Sequence, residues 1–127
     1  MRKLKKSQPQ TIQDNTSQYK TGQPNTETKK ITFRCDIFLL EKIKNTLASQ
    51  QLAGNYQYPN LSTFIRAALQ TYQEKMPLTY QRENNPKKEI SFRLAGELLT
   101  FYESLSDQTK NLILERALGS YYQRCFG

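Results

Sequence analysis

The sequence predicts a mainly α protein with one short two-stranded antiparallel β-ribbon, its elements in the order β-α-α-β-α-α. Three observations predict it. The alternating run Ile31-Thr32-Phe33-Arg34-Cys35 returns, type for type, as Ile90-Ser91-Phe92-Arg93-Leu94. Each run leads into an apolar-periodic segment and then into a second one with a shared signature. That signature is Phe64-Ile65-x-x-Ala68-Leu69-x-x-Tyr72 in the first half and Ile113-Leu114-x-x-Ala117-Leu118-x-x-Tyr121 in the second. Finally, a strand with two helices, about 45 residues, is too small to bury a core alone. The two copies are therefore expected to pair within one chain as a pseudo-dimer.

Residues 1–28 read as a disordered basic arm. They are rich in Gln, Thr, Asn and Ser, contain Pro9 and Pro24, and hold few apolar side chains to offset the entropy of ordering. The first unit, residues 29–75, opens on the strand Ile31–Cys35. Its alternation puts Ile31 and Phe33 on one face and Thr32 and Arg34 on the other. Asp36 is the expected N-cap of a helix whose Leu39, Leu40, Ile43 and Leu47 recur at helical spacing. A loop around Gly54-Asn55 follows, and Asn60 is expected to cap the second helix, which buries Phe64, Ile65, Ala68, Leu69 and Tyr72. Pro77 stops that helix soon after.

Residues 76–87, with Asn84-Asn85-Pro86, read as a linker. The second unit, residues 88–124, repeats the plan: strand Ile90–Leu94, a helix carrying Leu98, Leu99, Tyr102 and Leu105, and a last helix capped by Ser106 or Thr109. The strands are offset by 90 − 31 = 59 residues and the last helices by 113 − 64 = 49, so the first unit holds ten extra residues in its first helix or the following loop. The linker spans at most roughly 40 Å when extended, enough to lay one strand beside the other. Residues 29–124 are thus expected to form one domain. Pairing between chains, giving two ribbons, is the competing arrangement.

Composition narrows the function. The 127 residues carry 19 basic and 11 acidic side chains, a net charge of +8. Residues 1–30 alone hold seven basic residues against two acidic, a net +5. Such a balance favours a polyanionic partner, nucleic acid foremost. The arm either tracks phosphates or serves as a solubilising tail. There is no histidine, which removes Ser-His-Asp, Cys-His and His-x-x-x-His metalloprotease chemistry. No phosphate-cradling glycine loop or zinc-type cysteine cluster is present, so neither enzyme activity nor a metal or cofactor is expected. Cys35 and Cys125 follow no ligand spacing and are expected as reduced thiols in a cytoplasmic protein. No apolar run approaches the roughly 18 residues of a membrane span, and no hydrophobic segment follows the basic start as a secretory signal requires.

Pairing the two strands would project Thr32, Arg34, Ser91 and Arg93 from one face of the ribbon. A two-stranded ribbon fits the B-DNA major groove. Arg is the commonest reader of guanine O6 and N7 there, and Ser or Thr can bond either kind of base edge. The N-termini of the second helices, at Asn60, Leu61, Ser62 and Thr63 and at Thr109, Lys110 and Asn111, offer backbone N–H groups and dipoles to phosphates. Phosphate contacts set position and base contacts set sequence.

The chain resembles the ribbon-helix-helix DNA-binding proteins, the class of the Arc and methionine repressors. The resemblance rests on Ile31-Thr32-Phe33-Arg34 with Asn60-Leu61-Ser62-Thr63-Phe64-Ile65-Arg66-Ala67-Ala68-Leu69. It rests equally on Ile90-Ser91-Phe92-Arg93-Leu94 with Glu115-Arg116-Ala117-Leu118. It implies base contacts from Thr32, Arg34, Ser91 and Arg93, phosphate contacts at the second-helix N-termini, and double-stranded DNA as the partner. Two departures stand out. Members of that class mostly carry one unit per chain, and Lys30 corresponds here to Glu89, so one ribbon edge is acidic. The halves would therefore read unequal half-sites. A transcriptional repressor is the first expectation, followed by an accessory protein of plasmid maintenance or conjugative transfer, then an antitoxin. A helical adaptor that binds no DNA is the rival of another class. Self-association on DNA and any small-molecule effector are left open by the sequence. Arg66 and Arg116 read as solubilising helix-surface residues.

Overall fold

The computed structural model describes residues 28–127. The basic arm, apart from Thr28, lies outside the described residues. Thr28 itself opens strand β1 (Thr28–Asp36), which runs directly into helix α1 (Ile37–Leu52). Helix α2 (Leu61–Gln73), strand β2 (Lys87–Ala95), and helices α3 (Gly96–Glu103) and α4 (Lys110–Phe126) follow. The two strands pair antiparallel within the chain, nine residues against nine. Both are longer than the five-residue runs of clean alternation, because pairing continues past them at each end.

The register is centred on Thr32 opposite Ser91, the two equivalent positions of the repeat. Side chains of one strand alternate between faces, so Ile31, Phe33, Cys35, Phe92 and Leu94 are buried, with Ile90 half-buried beside them. Phe33 and Phe92 meet edge to face at 5.8 Å between ring centroids. The helices close over this face. Leu39, Leu40, Ile43 and Leu47 of α1, Phe64, Ile65, Ala68 and Leu69 of α2, and Leu114 and Leu118 of α4 share one core with it. Helix α3 contributes Tyr102, with Leu98 and Leu99 half-buried.

The ten extra residues of the first half divide cleanly. Helix α1 has 16 residues and α3 has 8, a difference of eight. The loop 53–60 has eight residues and the loop 104–109 has six, a difference of two. Asp36 caps α1 through Oδ1, which accepts the N–H groups of Phe38 and Leu39 at 2.8 and 3.2 Å. Asn60 caps α2, its Oδ1 accepting from Thr63 N–H at 2.9 Å. Neither expected cap of α4 works in that way. Thr109 occupies the N-cap position but its side chain accepts no helix N–H, and the turn is held instead by Ser106 O, which accepts from the N–H of Thr109 and of Lys110 and from Thr109 Oγ1. Helix α2 ends four residues before Pro77. Lys75 takes φ 81° there, and Met76 N–H returns to Thr71 O, a helix-closing turn that usually employs glycine.

Residues 76–86 do more than connect. Met76 is buried. Ser120 Oγ accepts from the N–H groups of Thr79 and Tyr80 at 2.8 and 2.9 Å. Arg116 donates to Tyr80 O at 3.1 Å and to Leu78 O at 2.9 Å. The Tyr80 ring lies where a side chain on Gly119 would stand, so glycine is required by contact there. The expectation that Arg116 merely solubilises is overturned: its guanidinium fastens the connecting segment to α4. Lys87, placed at the linker's end by the sequence, is the first residue of β2.

Candidate functional site

Alternation and register together fix the solvent face of the ribbon. Three cross-strand rows lie on it: Lys30 opposite Arg93, Thr32 opposite Ser91, and Arg34 opposite Glu89. All six side chains are exposed. With about 6.8 Å between same-face neighbours of a strand, the rows cover roughly 14 Å. In the middle row, Thr32 Oγ1 and Ser91 Oγ are 2.9 Å apart and share one hydrogen bond. One hydroxyl proton is used between them, leaving one donor and several lone pairs for a further group. Among the described residues, no hydrogen bond or ion pair engages the side-chain ends of Lys30, Arg34 or Glu89. Like charges placed opposite one another in a sheet are destabilising. The Lys30–Arg93 row therefore carries a cost that the fold itself does not require.

A cleft flanks each end of this face. The first, about 490 Å³, lies between the Lys30–Arg93 end and the start of α2, with Asn60, Ser62 and Arg66 on its wall. The N–H groups of Leu61 and Ser62 precede the first intrahelical bond and point out of the helix start. Asn60 Oδ1 is occupied by Thr63, whose Oγ1 also donates to it at 2.9 Å. Arg66 donates to Arg93 O and Thr63 Oγ1, each at 3.3 Å. It is thus a half-buried wall of the cleft, correcting its reading as a merely solubilising surface residue.

The second cleft, about 420 Å³, lies between the Arg34–Glu89 end and the start of α4, lined by Arg34, Arg82, Lys87, Gln108 and Asn111. Here the helix start is committed internally. Asn111 holds the outer edge of β1: its Oδ1 accepts Arg34 N–H and its Nδ2 donates to Arg34 O, both at 2.8 Å. The Lys110 ammonium pairs with Asp107 at 2.9 Å, a hydrogen bond that raises the lysine pKa, and it lies 5.0 Å from the Tyr102 ring centroid. Thr109 and Lys110 N–H are both taken by Ser106 O. The three residues expected to offer phosphate contacts here are thus assembled at one place with most of their donors in use.

Beneath this second cleft lies Glu115, fully buried. It accepts the backbone N–H of Asp36 at 2.7 Å, the Lys87 ammonium at 2.9 Å, and the Arg82 guanidinium. Asp36 next to it is also buried. Burial opposes its charge, but hydrogen bonds from Asn85 and from the N–H groups of Leu39 and Phe38, with Lys87 nearby, outweigh burial and hold the carboxyl below the usual Asp range. Cys35, enclosed between these groups, is pushed up to about 12 by burial first and by Glu115 and Asp36 next. It is a core thiol, whereas Cys125 is exposed.

Sequence reasoning missed Arg66, Arg82, Lys87 and Glu115 as parts of the two ends. One signal was available: the 49-residue offset sets Arg66 against Glu115, opposite charges at equivalent positions of otherwise matching helices. Among the described residues no group of His, Cys, Asp and Glu could hold a metal ion, and no helix is long and apolar enough to cross a membrane. The chain matches no family model, no curated protein and no solved structure.

Proposed function

We propose that this chain binds double-stranded DNA in a sequence-specific manner and acts as a transcriptional repressor. In this reading the two halves form an intramolecular ribbon-helix-helix pseudo-dimer that lays the paired strands in the major groove. One observation carries the reading: the exposed ribbon face bears Lys30, Thr32, Arg34, Ser91 and Arg93, donor-rich side chains on a strand pair that the major groove can admit. The rows extend over roughly four base-pair steps of 3.4 Å. Arg34 and Arg93 would take guanine O6 and N7, and the Thr32–Ser91 pair would meet a base edge at the centre. The cleft beside α2, with Arg66 and two outward backbone N–H groups, has the chemistry of a phosphate seat. The net charge of +8 adds a long-range attraction to a polyanion.

The test is selection of bound duplexes from a random pool at near-physiological salt, with the wild type and the Arg34→Ala, Arg93→Ala double variant. A motif is expected from the wild type. Each lost bidentate Arg contact should cost about 1–3 kcal/mol of discrimination, so the double variant should lose most of that motif. Affinity and sequence preference unchanged in the variant would refute the reading. The repressor role is checked in the cell: selected sites should overlap promoters, and transcripts from them should rise when the gene is deleted. Transcripts that stay level would leave a DNA-binding protein with another task.

A further inference from the structure

The two ends of the ribbon differ in ways that all point in one direction. At the first end Lys30 faces Arg93, and the adjoining cleft has on its wall Arg66, which bonds only Arg93 O and Thr63 Oγ1 and no carboxylate among the described residues. Each helix start leaves two backbone N–H groups unbonded among the described residues, Leu61 and Ser62 in α2 and Asn111 and Leu112 in α4, but α2 also keeps the Ser62 hydroxyl free. At the second end Arg34 faces Glu89. The adjoining cleft also has three cations, but Arg82 and Lys87 are paired with the buried Glu115 beneath them. The start of α4 has spent the side chains of Lys110 and Asn111 on Asp107 and on the Arg34 backbone. Strand residues, helix start and buried charge are independent features, and each makes the first end more attractive to phosphate than the second.

We infer that the interface has a fixed polarity. It binds a non-palindromic duplex in one orientation, with the Lys30–Arg93 end as the anchoring half and the Arg34–Glu89 end as the discriminating half. The inference rests on the DNA-binding reading and adds to it the base chemistry of each half. Lys30 and Arg93 have only donors to offer, so their half should select acceptor-rich guanines. Arg34 and Glu89 are direct cross-strand neighbours, a donor fork beside an acceptor. Their half should require a guanine O6/N7 edge next to a cytosine N4 amino group, as a G·C pair or two adjacent ones present. Glu89 is then the specificity-determining residue of this chain. It accepts from cytosine, and in front of any base without that amino group its charge faces acceptors and phosphate unpaired.

The same selection, run on Glu89→Gln and Glu89→Lys, tests this. Glu89 is exposed, and no described residue bonds its carboxylate, so both variants should fold. The wild type should yield an asymmetric motif. Glu89→Gln should weaken the cytosine preference at one edge of the motif by about 5- to 150-fold and turn it toward adenine, leaving the other half unchanged. Glu89→Lys, which restores the residue type found at Lys30, should push the two halves toward a common guanine-rich sequence. A palindromic wild-type motif, or a motif whose edge columns do not respond to either variant, would overturn the polarity while leaving DNA binding intact. No enriched motif with any of the three proteins would overturn the DNA-binding reading and the polarity together.

Discussion

The two strand-helix-helix segments of this chain build the same core from matching residues and opposite polar interiors. Ile65, Ala68 and Leu69 of α2 and Leu114, Ala117 and Leu118 of α4 are all buried at equivalent places. Three residues into the signature, however, α2 has Arg66 and α4 has Glu115. Arg66 stays half-buried and reaches outward to Arg93 O. Glu115 is fully enclosed and draws Arg82, Lys87 and the Asp36 backbone toward it. Apolar matching thus sets where the helices lie, and the polar difference decides what each end of the ribbon presents to solvent. The second segment also holds residues 78–80 of the connection, through Arg116, Ser120 and the Tyr80–Gly119 contact, while Asp36 and Ile37 of the first hold Asn85 and Pro86.

The sharpest way to break this comparison is to truncate the two equivalent residues. Glu115→Ala would leave Lys87 with a half-buried ammonium short of its carboxylate, Asp36 with an unpaired N–H, and Arg82 without its partner. Removing one member of a buried ion pair typically costs about 3–5 kcal/mol. Arg82 is 43% exposed and can turn to water, so the lower part of that range is expected. Arg66→Ala should cost no more than about 1 kcal/mol, because its partners can be hydrated. Urea denaturation of both variants checks the difference. Equal losses would mean that the buried carboxylate does not distinguish the halves.

How much of this was legible in sequence divides along the same line. The strands, the inward Ile31, Phe33 and Cys35, the caps Asp36 and Asn60, and the helical stripes depend on residues within a turn or two of one another. Their spacing records them directly. The pairing register was also within reach, since two equivalent strands that pair antiparallel tend to meet at equivalent residues, here Thr32 and Ser91. The Glu115 cluster was not legible. Its acceptors and donors come from positions 36, 82, 87 and 115, and no local period links them. The same holds for residues 76–86. Their Pro and Asn content reads as a linker, while the order of residues 78–80 comes from a serine, an arginine and a glycine some forty residues away. The starts of α2 and α4 were legible at Asn60 and Thr109, but their inequality depended on where Asp107, Ser106 and Arg34 would fall.

A medium effect concerns the junction of β1 and α1, which has a side-chain cap, against that of β2 and α3, which has none. Asp36→Ala removes the cap and the Asn85 bond and should cost about 1–2 kcal/mol. Its pH dependence follows from the lowered folded pKa. The stabilisation is fully present above the ordinary Asp value of 3.8 and is lost as pH falls from there through the folded value. The gap between wild type and Asp36→Ala should therefore close under acid denaturation below about pH 4. A gap that stays constant down to pH 2 would mean that the charge of Asp36 adds nothing beyond its shape.

The smallest contrast lies at the starts of α2 and α4, between Ser62 and its equivalent Asn111. Asn111→Ala removes both bonds to the Arg34 backbone, on the outer edge of a strand where water can take their place. A loss of about 1 kcal/mol is expected. Ser62→Ala removes a side chain that bonds nothing among the described residues, and its stability should stay within about 0.5 kcal/mol of wild type. Hydrogen exchange at the Arg34 amide gives a local reading of the same contrast. With Asn111 in place that amide is bonded, and in Asn111→Ala it should exchange faster while the Arg93 amide on the opposite strand is unaffected. Equal protection of the Arg34 amide in both variants would mean that the strand edge is held by its pairing alone. The commitment of the α4 start to β1 would then lose its structural basis, and with it one of the three differences between the ribbon's ends.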